Sequence, residues 1–295
     1  MASQMIELIK VLRERTGAGM MDCKKALEEN ECDVEKACDW LREKGIAKAA
    51  KKASRIAAEG LTIVRGCNNC GKAVVLEVNC ETDFVAKSDA FKDLVAEVAH
   101  IIMKQEPKTV EEAKELPEVT KLFTDAVVKL GEKMEIRRFE IVKLQEGQGF
   151  GSYIHMQGKI SVLVLMNQVT EDAKGIAMHI AANNPQYIEK ADIPAEVIEH
   201  ETAIQMEAAK NDEKLASKPE AALKNIIAGK VNKIFSESVL SEQAYLMGDG
   251  KETVGNYLKG KGLKVVRFIR YMVGEGLEKR HDDFAAEVAA QSQGK

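Results

Sequence analysis

No apolar run in this chain approaches the roughly 18 residues that a membrane-spanning helix needs. No signal-peptide core or Arg/Ser-rich transit pattern follows Met1. These absences predict a soluble, cytoplasmic protein of a bacterial type, with no membrane partner. An excess of basic charge is also missing. Lys and Arg total 43 against 47 Asp and Glu, for a net charge of −4, and the isoelectric point is about 5.9. The chain as a whole therefore lacks the electrostatic footprint of a nucleic-acid binder. At 45% hydrophobic and 31% charged over 295 residues, it reads as an ordinary globular protein of two or three domains.

The motifs of the common enzyme classes are missing too. Residues 255–262, GNYLKGKG, approach a phosphate-binding loop, but Gly262 stands where a Ser or Thr should follow the lysine. The stretch also precedes a strand pattern instead of following one. His200-Glu201 begins a zinc-protease motif, but the second histidine would fall on Ile204. There is no GxSxG, and no cysteine has an evident histidine partner. Cys67 and Cys70 form the one CxxC, without the second pair that a zinc ribbon requires. Their Asn-Asn spacer, followed by Gly71, reads as a hairpin tip, with a metal or redox role as the other reading. Cys23, Cys32 and Cys38 lie in helical patterns and read as small core residues. The sequence points to a binding protein, not an enzyme, with no catalytic residue, metal ligand or cofactor.

Hydrophobic spacing supplies the organisation. Ile6, Ile9 and Leu12 share a helical face before TGAG, and MMDCKKALEE forms a second short helix. Asp33 can cap a third that carries Val34, Ala37, Cys38 and Leu41 and stops at Gly45. The Ala- and Lys-rich segment beyond reads as a helical linker. LTIVRG and KAVVLEVN read as paired strands around CNNCG. A helix over 88–103 is capped by Ser88 and buries Phe91, Leu94, Val95, Val98 and Ile102. Pro107 and Pro117 bracket an irregular segment, a helix runs from about 118 to 130, and MEIRRFEIVKL is a strand.

That order recurs. FGSYIHM and KISVLVLMNQV pair around Gln157-Gly158, EDAKGIAMHIAANN is a helix, and LKVVRFIRYMVG is a closing strand of the second sheet. Helices near 194–210 and 219–237 form a hairpin. Lys72 and Lys159 lie 87 residues apart and His100 and His179 lie 79 apart, so the second copy is eight residues shorter between strand and helix. The deficit falls on ETDFVAK. Phe84 is then either a core residue beneath the 88–103 helix or an aromatic carried outward on added material.

Two stretches decide between these. LRERTGAGMMDCKKAL (12–27) and VNCETDFVAKSDAF (78–91) resemble the two signatures of the elongation factor Ts family, and the likeness continues through SYIHMQGKISVLV, IAMHIAANNP, RFIRYMVGEGLEK and DFAAEVAA. The resemblance implies an α+β fold. It would comprise a ubiquitin-associated-like three-helix module, a core of two similar α+β subdomains, an inserted helical hairpin and a C-terminal helix. It implies a guanine nucleotide exchange factor for elongation factor Tu, able to bind the GDP-bound and nucleotide-free partner and itself binding no nucleotide. Thr82, Asp83, Phe84 and Val85 match the loop that enters near the partner's Mg²⁺ site. Arg13, Met20 and Met21 match positions of the docking module, one methionine packing inward and the other facing the partner. His155 maps to a contact of the second subdomain, and Phe284 to the C-terminal helix.

The expected boundaries are 1–55 for the module and linker, 56–145 for the first subdomain, 146–192 with 238–274 for the second, 193–237 for the hairpin insertion and 275–295 for the C-terminal part. A competing class is an RNA-binding or adaptor protein acting through the basic 44–55 segment (Lys44, Lys48, Lys51, Lys52, Arg55) and the three-helix module. On a helix, such a cluster is most often a solvated face.

Overall fold

The computed structural model describes residues 2–52, 54–212, 218–248 and 250–277. Three helices open the chain: α1 (Ala2–Thr16), α2 (Met20–Glu29) and α3 (Val34–Lys52). They close on Leu12, Cys23, Ala26, Leu27, Ala37 and Leu41. Gly17, in the left-handed region at φ +67°, ends α1, and Asp33 Oδ1 accepts the amides of Glu35 and Lys36 at 2.9 and 3.1 Å. That is the expected cap.

Gly45 does not end α3, which continues to Lys52. A Cβ at Gly45 would lie 2.5 Å from Val128 Cγ2 and 3.4 Å from the Thr124 carbonyl, both on α7 (Pro117–Leu130). A glycine inside a helix costs about 1 kcal/mol against alanine. Here it lets α3 cross α7 at close range, which seats the module on the core. Cys32 is also corrected. It is exposed, at φ +65° in the turn between α2 and α3, while Cys23 is buried and Cys38 half-buried.

Two three-stranded antiparallel sheets follow. The first holds β1 (Glu59–Cys67), β2 (Lys72–Cys80) and β3 (Met134–Lys143), with β2 central. The second holds β4 (Gly149–His155), β5 (Ile160–Met166) and β6 (Val265–Met272), with β5 central. Each central strand reads as a continuous apolar run because it is buried on both faces. Val74, Leu76 and Val78 pack under helices, whereas Ala73 and Val75 meet Leu163 and Leu165 of the other sheet. On β5, Val162, Val164 and Met166 face α8 (Asp172–Asn183). The core is thus four layers deep: helix, sheet, sheet, helix. Between the sheets the Thr62 hydroxyl donates to the Gly158 carbonyl (2.8 Å) and pairs with the Ser161 hydroxyl (2.9 Å).

The first sheet is covered by α4 (Asp83–Lys87), α5 (Asp89–Gln105), α6 (Val110–Glu115) and α7. Ser88 caps α5, and Phe91, Leu94, Val95, Val98 and Ile102 are buried as their spacing required. α6 replaces the irregular segment expected between the prolines. Thr109 Oγ1 caps Glu112 N (3.1 Å), and Glu112 reaches back to Lys108 N (2.7 Å). Such a reciprocal cap stabilises a turn too short to show a periodic pattern.

The second half carries α9 (Ala195–Lys210) and α10 (Glu220–Ser236), packed on Ala209, Ile227 and Val231. α11 (Val254–Gly260), capped by Thr253, contains most of the stretch that mimicked a phosphate loop. Gly151 on β4 lets α8 approach closely, since a Cβ there would lie 2.4 Å from Ala173 Cβ and 2.5 Å from its carbonyl carbon. Gly151→Ala is expected to lose about 1–3 kcal/mol by overpacking, read as a lower urea midpoint.

His179 is a buried core histidine. Its Nε2 donates to Gln243 Oε1 (2.8 Å), and its Nδ1 accepts from Leu246 N (3.2 Å). Burial pulls its pKa below the ordinary value, and the Gln243 hydrogen bond opposes this in part. The folded state resists a proton that the unfolded chain accepts. Stability from this site is therefore full above the ordinary histidine pKa of about 6.5 and falls as pH drops below it. Denaturant midpoints at neutral and mildly acidic pH should show this slope in the wild type, and His179→Gln should flatten it.

Candidate functional site

α4 interrupts the passage from β2 to α5, where the second half has only a short turn from β5 to α8. The passage spans residues 81–88 in the first half and 167–171 in the second, so the link is only three residues longer, and the first half folds its link into a helical step. The inner face of the step is anchored, with Val85 and Ala86 buried in the core between the first sheet and its helices. The outer face carries Phe84, whose exposure is 82%. The reading of Phe84 as a core residue fails, because helical geometry sends its side chain away from the face that Val85 and Ala86 bury.

The step is fixed at both ends. Thr82 Oγ1 accepts from Val85 N (3.3 Å) and donates to Glu132 Oε1 (2.6 Å). Glu132 Oε2 accepts the amides of Glu81 and Thr82, both at 3.0 Å. At the other end the Ser88 hydroxyl donates to the Val85 carbonyl (2.7 Å) while capping α5 through Phe91 N (3.3 Å). Asp83 pairs with Lys87 at 2.5 Å. The Lys87 hydrogen bond holds the Asp83 carboxyl below its usual range against some desolvation, and Lys159 adds to the effect. Lys159 itself binds Glu59 at 2.5 Å, so the β4–β5 tip of the second half borders this loop. Under the loop, the Cys80 thiol donates to the Thr82 carbonyl (3.2 Å), and burial pushes its pKa up to about 12.

The other expected contacts occupy separate places. Arg13, Met20 and Met21 are all exposed around the turn from α1 to α2. Neither methionine packs inward: Met20 is 58% and Met21 72% exposed. The first turn of α2 buries Cys23 instead, and Met20 and Met21 point away from that face. His155 closes β4, half-buried, with Nδ1 3.1 Å from the Tyr153 hydroxyl. The next residue, Met156, is 66% exposed at φ +48°. Phe284 lies outside the described residues, as do the side chains of Cys67, Lys48 and Lys51. CNNC forms a hairpin tip. Within the basic segment, Lys52 donates to the Gly131 carbonyl and Arg55 pairs with Glu81 (3.1 Å). Lys44 lies 5.2 Å over the Trp40 ring.

The residues that sequence reasoning passed over are Glu81, just after β2, and Glu132, in the connection from α7 to β3, which hold the loop from two sides. Glu81 lies within the second signature without an assigned part, Glu132 has no motif of its own, and only their meeting across the chain gives them a role. Among the described residues no group of three or more His, Cys, Asp or Glu is placed to hold a metal ion. None of the described helices is long and apolar enough to cross a membrane.

A family model described as elongation factor TS matches residues 81–275, which is more than half of the chain. The match begins at the loop that carries Phe84, takes in β3 of the first sheet and all three strands of the second, and ends in the segment after β6. The chain belongs to the elongation factor Ts family, the nucleotide exchange factors that serve elongation factor Tu in translation elongation.

Proposed function

We propose that this protein binds elongation factor Tu in its GDP form, disturbs the partner's Mg²⁺ site with the Asp83-Phe84 step, and so promotes GDP release. The observation that carries the reading is Phe84, 82% exposed on a helical turn whose opposite face is locked in the core. A large aromatic on a rigid mount is the kind of side chain that anchors an interface. Bound GDP is retained by phosphate contacts and by Mg²⁺, which neutralises the phosphate oxygens. A protein that stabilises a partner state with a displaced Mg²⁺ site must weaken nucleotide binding by the same coupling energy. No catalytic side chain is required, and the nucleotide site belongs to the partner.

Arg13, Met20 and Met21 would dock the three-helix module on the partner's nucleotide-binding domain, with flexible methionines giving an adaptable surface. His155 would touch a second partner domain, and Phe284 would support the first. The module (1–55), the two core subdomains (56–145; 146–192 with 238–274), the hairpin (193–237) and the C-terminal part (275–295) would act as separate contact units. The test is release of a fluorescent GDP from elongation factor Tu of the same source, with and without this protein. Strong acceleration supports the reading, and its absence overturns it. RNA binding through 44–55 is disfavoured because Lys52 and Arg55 are engaged within the fold. It predicts RNA affinity that falls steeply with salt.

A further inference from the structure

We infer that Glu132 is a positioning residue that fixes the direction in which Phe84 is presented. The inference rests on the exchange reading above. Residues 131–133 join α7 to β3, and each of the three contacts the neighbourhood of the loop. The Gly131 carbonyl accepts from Lys52 Nζ, at the end of α3. Glu132 takes both amides that precede α4 and the Thr82 hydroxyl. Lys133 donates its amide to Glu81 Oε1 (2.6 Å) and its ammonium to the Arg55 carbonyl (3.0 Å).

The two carboxylates form a reciprocal clamp. Glu132 receives the backbone at Glu81 and Thr82, and Glu81 receives the backbone at Lys133. The hydroxyl of Thr82 links the clamp to the helix, because Val85 N donates to Thr82 Oγ1, which in turn donates to Glu132 Oε1. Hydrogen bonds in such a chain polarise one another, and those to a charged acceptor are the strong ones. Phe84 is the second residue of the helix that this cap opens. Val85 and Ala86 hold the step to the core by apolar packing, which is non-directional and leaves the orientation of the first turn to hydrogen bonds. Glu132 supplies that missing constraint. An interface aromatic contributes fully only when its orientation is set before binding.

The test uses the full chain with Glu132→Ala, Glu132→Gln, Phe84→Ala and the double variant Glu132→Ala/Phe84→Ala. Amide hydrogen exchange is read at Glu81 and Thr82, and partner-GDP release is read as a rate. Glu132→Ala is expected to speed exchange at those two amides while leaving the amides of β2 and β5 protected. It should lower factor-stimulated GDP release by roughly tenfold or more, with Glu132→Gln between it and the wild type. In the Phe84→Ala background the same change should add little, because its effect acts through the ring. A purely structural role would lower both backgrounds alike, and that outcome overturns the inference. Wild-type release rates in Glu132→Ala overturn it as well. If the wild-type protein itself does not accelerate release, the exchange reading fails, and unchanged amide protection at Glu81 and Thr82 then overturns the clamp independently. Glu132→Gln keeps the test open if the alanine variant does not fold.

Discussion

Phe84→Ala is expected to slow factor-stimulated GDP release by about tenfold to hundredfold while leaving the stability of the protein almost unchanged. Both halves of the expectation come from the same geometry. The ring is 82% exposed, so truncating it removes little packing, and a surface change of this kind stays within about 0.5 kcal/mol. At an interface the same ring would be desolvated, and aromatic hot spots lose about 2 kcal/mol or more on truncation. Each 1.4 kcal/mol of barrier is about tenfold in rate. A thousandfold acceleration corresponds to about 4 kcal/mol, so one anchored aromatic supplies a large part of it. The measurement pairs stopped-flow release of fluorescent GDP with thermal unfolding of the free variant. A large rate loss without a melting shift places the wedge at Phe84. An unchanged rate moves the work to Asp83 or to the docking surfaces. A large melting shift contradicts the geometry described here.

Glu77→Ala is expected to be the most destabilising of these substitutions. Glu77 lies on β2 with its side chain fully buried. It accepts from Arg137 Nη1 (2.9 Å) and Arg138 Nε (2.6 Å) on β3, and from Gly274 N (2.8 Å) beyond β6. Arg138 also reaches the Met272 carbonyl and Glu275 Oε2, each at 3.2 Å, and stacks 4.1 Å over the Tyr271 ring. One carboxylate therefore joins the first sheet to the segment that leaves the second. Removing one partner of a buried ion pair leaves the other charges uncompensated and costs about 3–5 kcal/mol. The amide of Gly274 loses its acceptor as well. Equilibrium urea unfolding should show the loss as a lower midpoint. Glu77→Gln, which keeps an acceptor of the same shape, should lose less. Equal stability of wild type and Glu77→Ala would mean that the Glu77 network adds nothing to the packing of the two sheets. The GDP-release rate at a temperature where Glu77→Ala remains folded should stay near wild type, which separates this site from Phe84.

How far the sequence carried the reading differs from element to element. The buried face of α5 was legible because five apolar residues recur at helical spacing and Ser88 supplies a cap. β2 and β5 were legible as continuous apolar runs bounded by turn residues. α6 was not, because six residues between two prolines are too few to establish a period, and its stability comes from the Thr109–Glu112 cap. Gly45 misled because glycine serves both as a helix stop and as a point of close approach. Only the position of Val128 on α7 distinguishes the two. The methionine pair misled for a related reason. Adjacent residues on a helix point about 100° apart, which suggested one inside and one outside, but Cys23 and Ala26 fill the module's core at that end and leave both exposed. Glu77 carried a signal that could have been used. A lone carboxylate inside VVLEVN demands a cation, and Arg137-Arg138 in MEIRRF is the nearest strand-borne source.

The sequence by itself determined the parts that depend on local order: helix periods, strand alternation, caps, and two signature stretches long enough to identify the family. It also pointed to ETDFVAK as a place where the first half departs from the second, although the structure puts only three of the eight surplus residues in that link. Tertiary structure alone decided what those parts do. Val85 and Ala86 turn inward and so commit Phe84 to solvent, and Glu132 crosses from the far end of α7 to hold the turn beneath it. Glu77 finds its two arginines on the neighbouring strand and its third donor almost two hundred residues later. The physical reason is range. Periodicity and capping act over three or four residues, whereas the direction of an exposed ring and the pairing of a buried charge depend on which surfaces meet when the sheets pack.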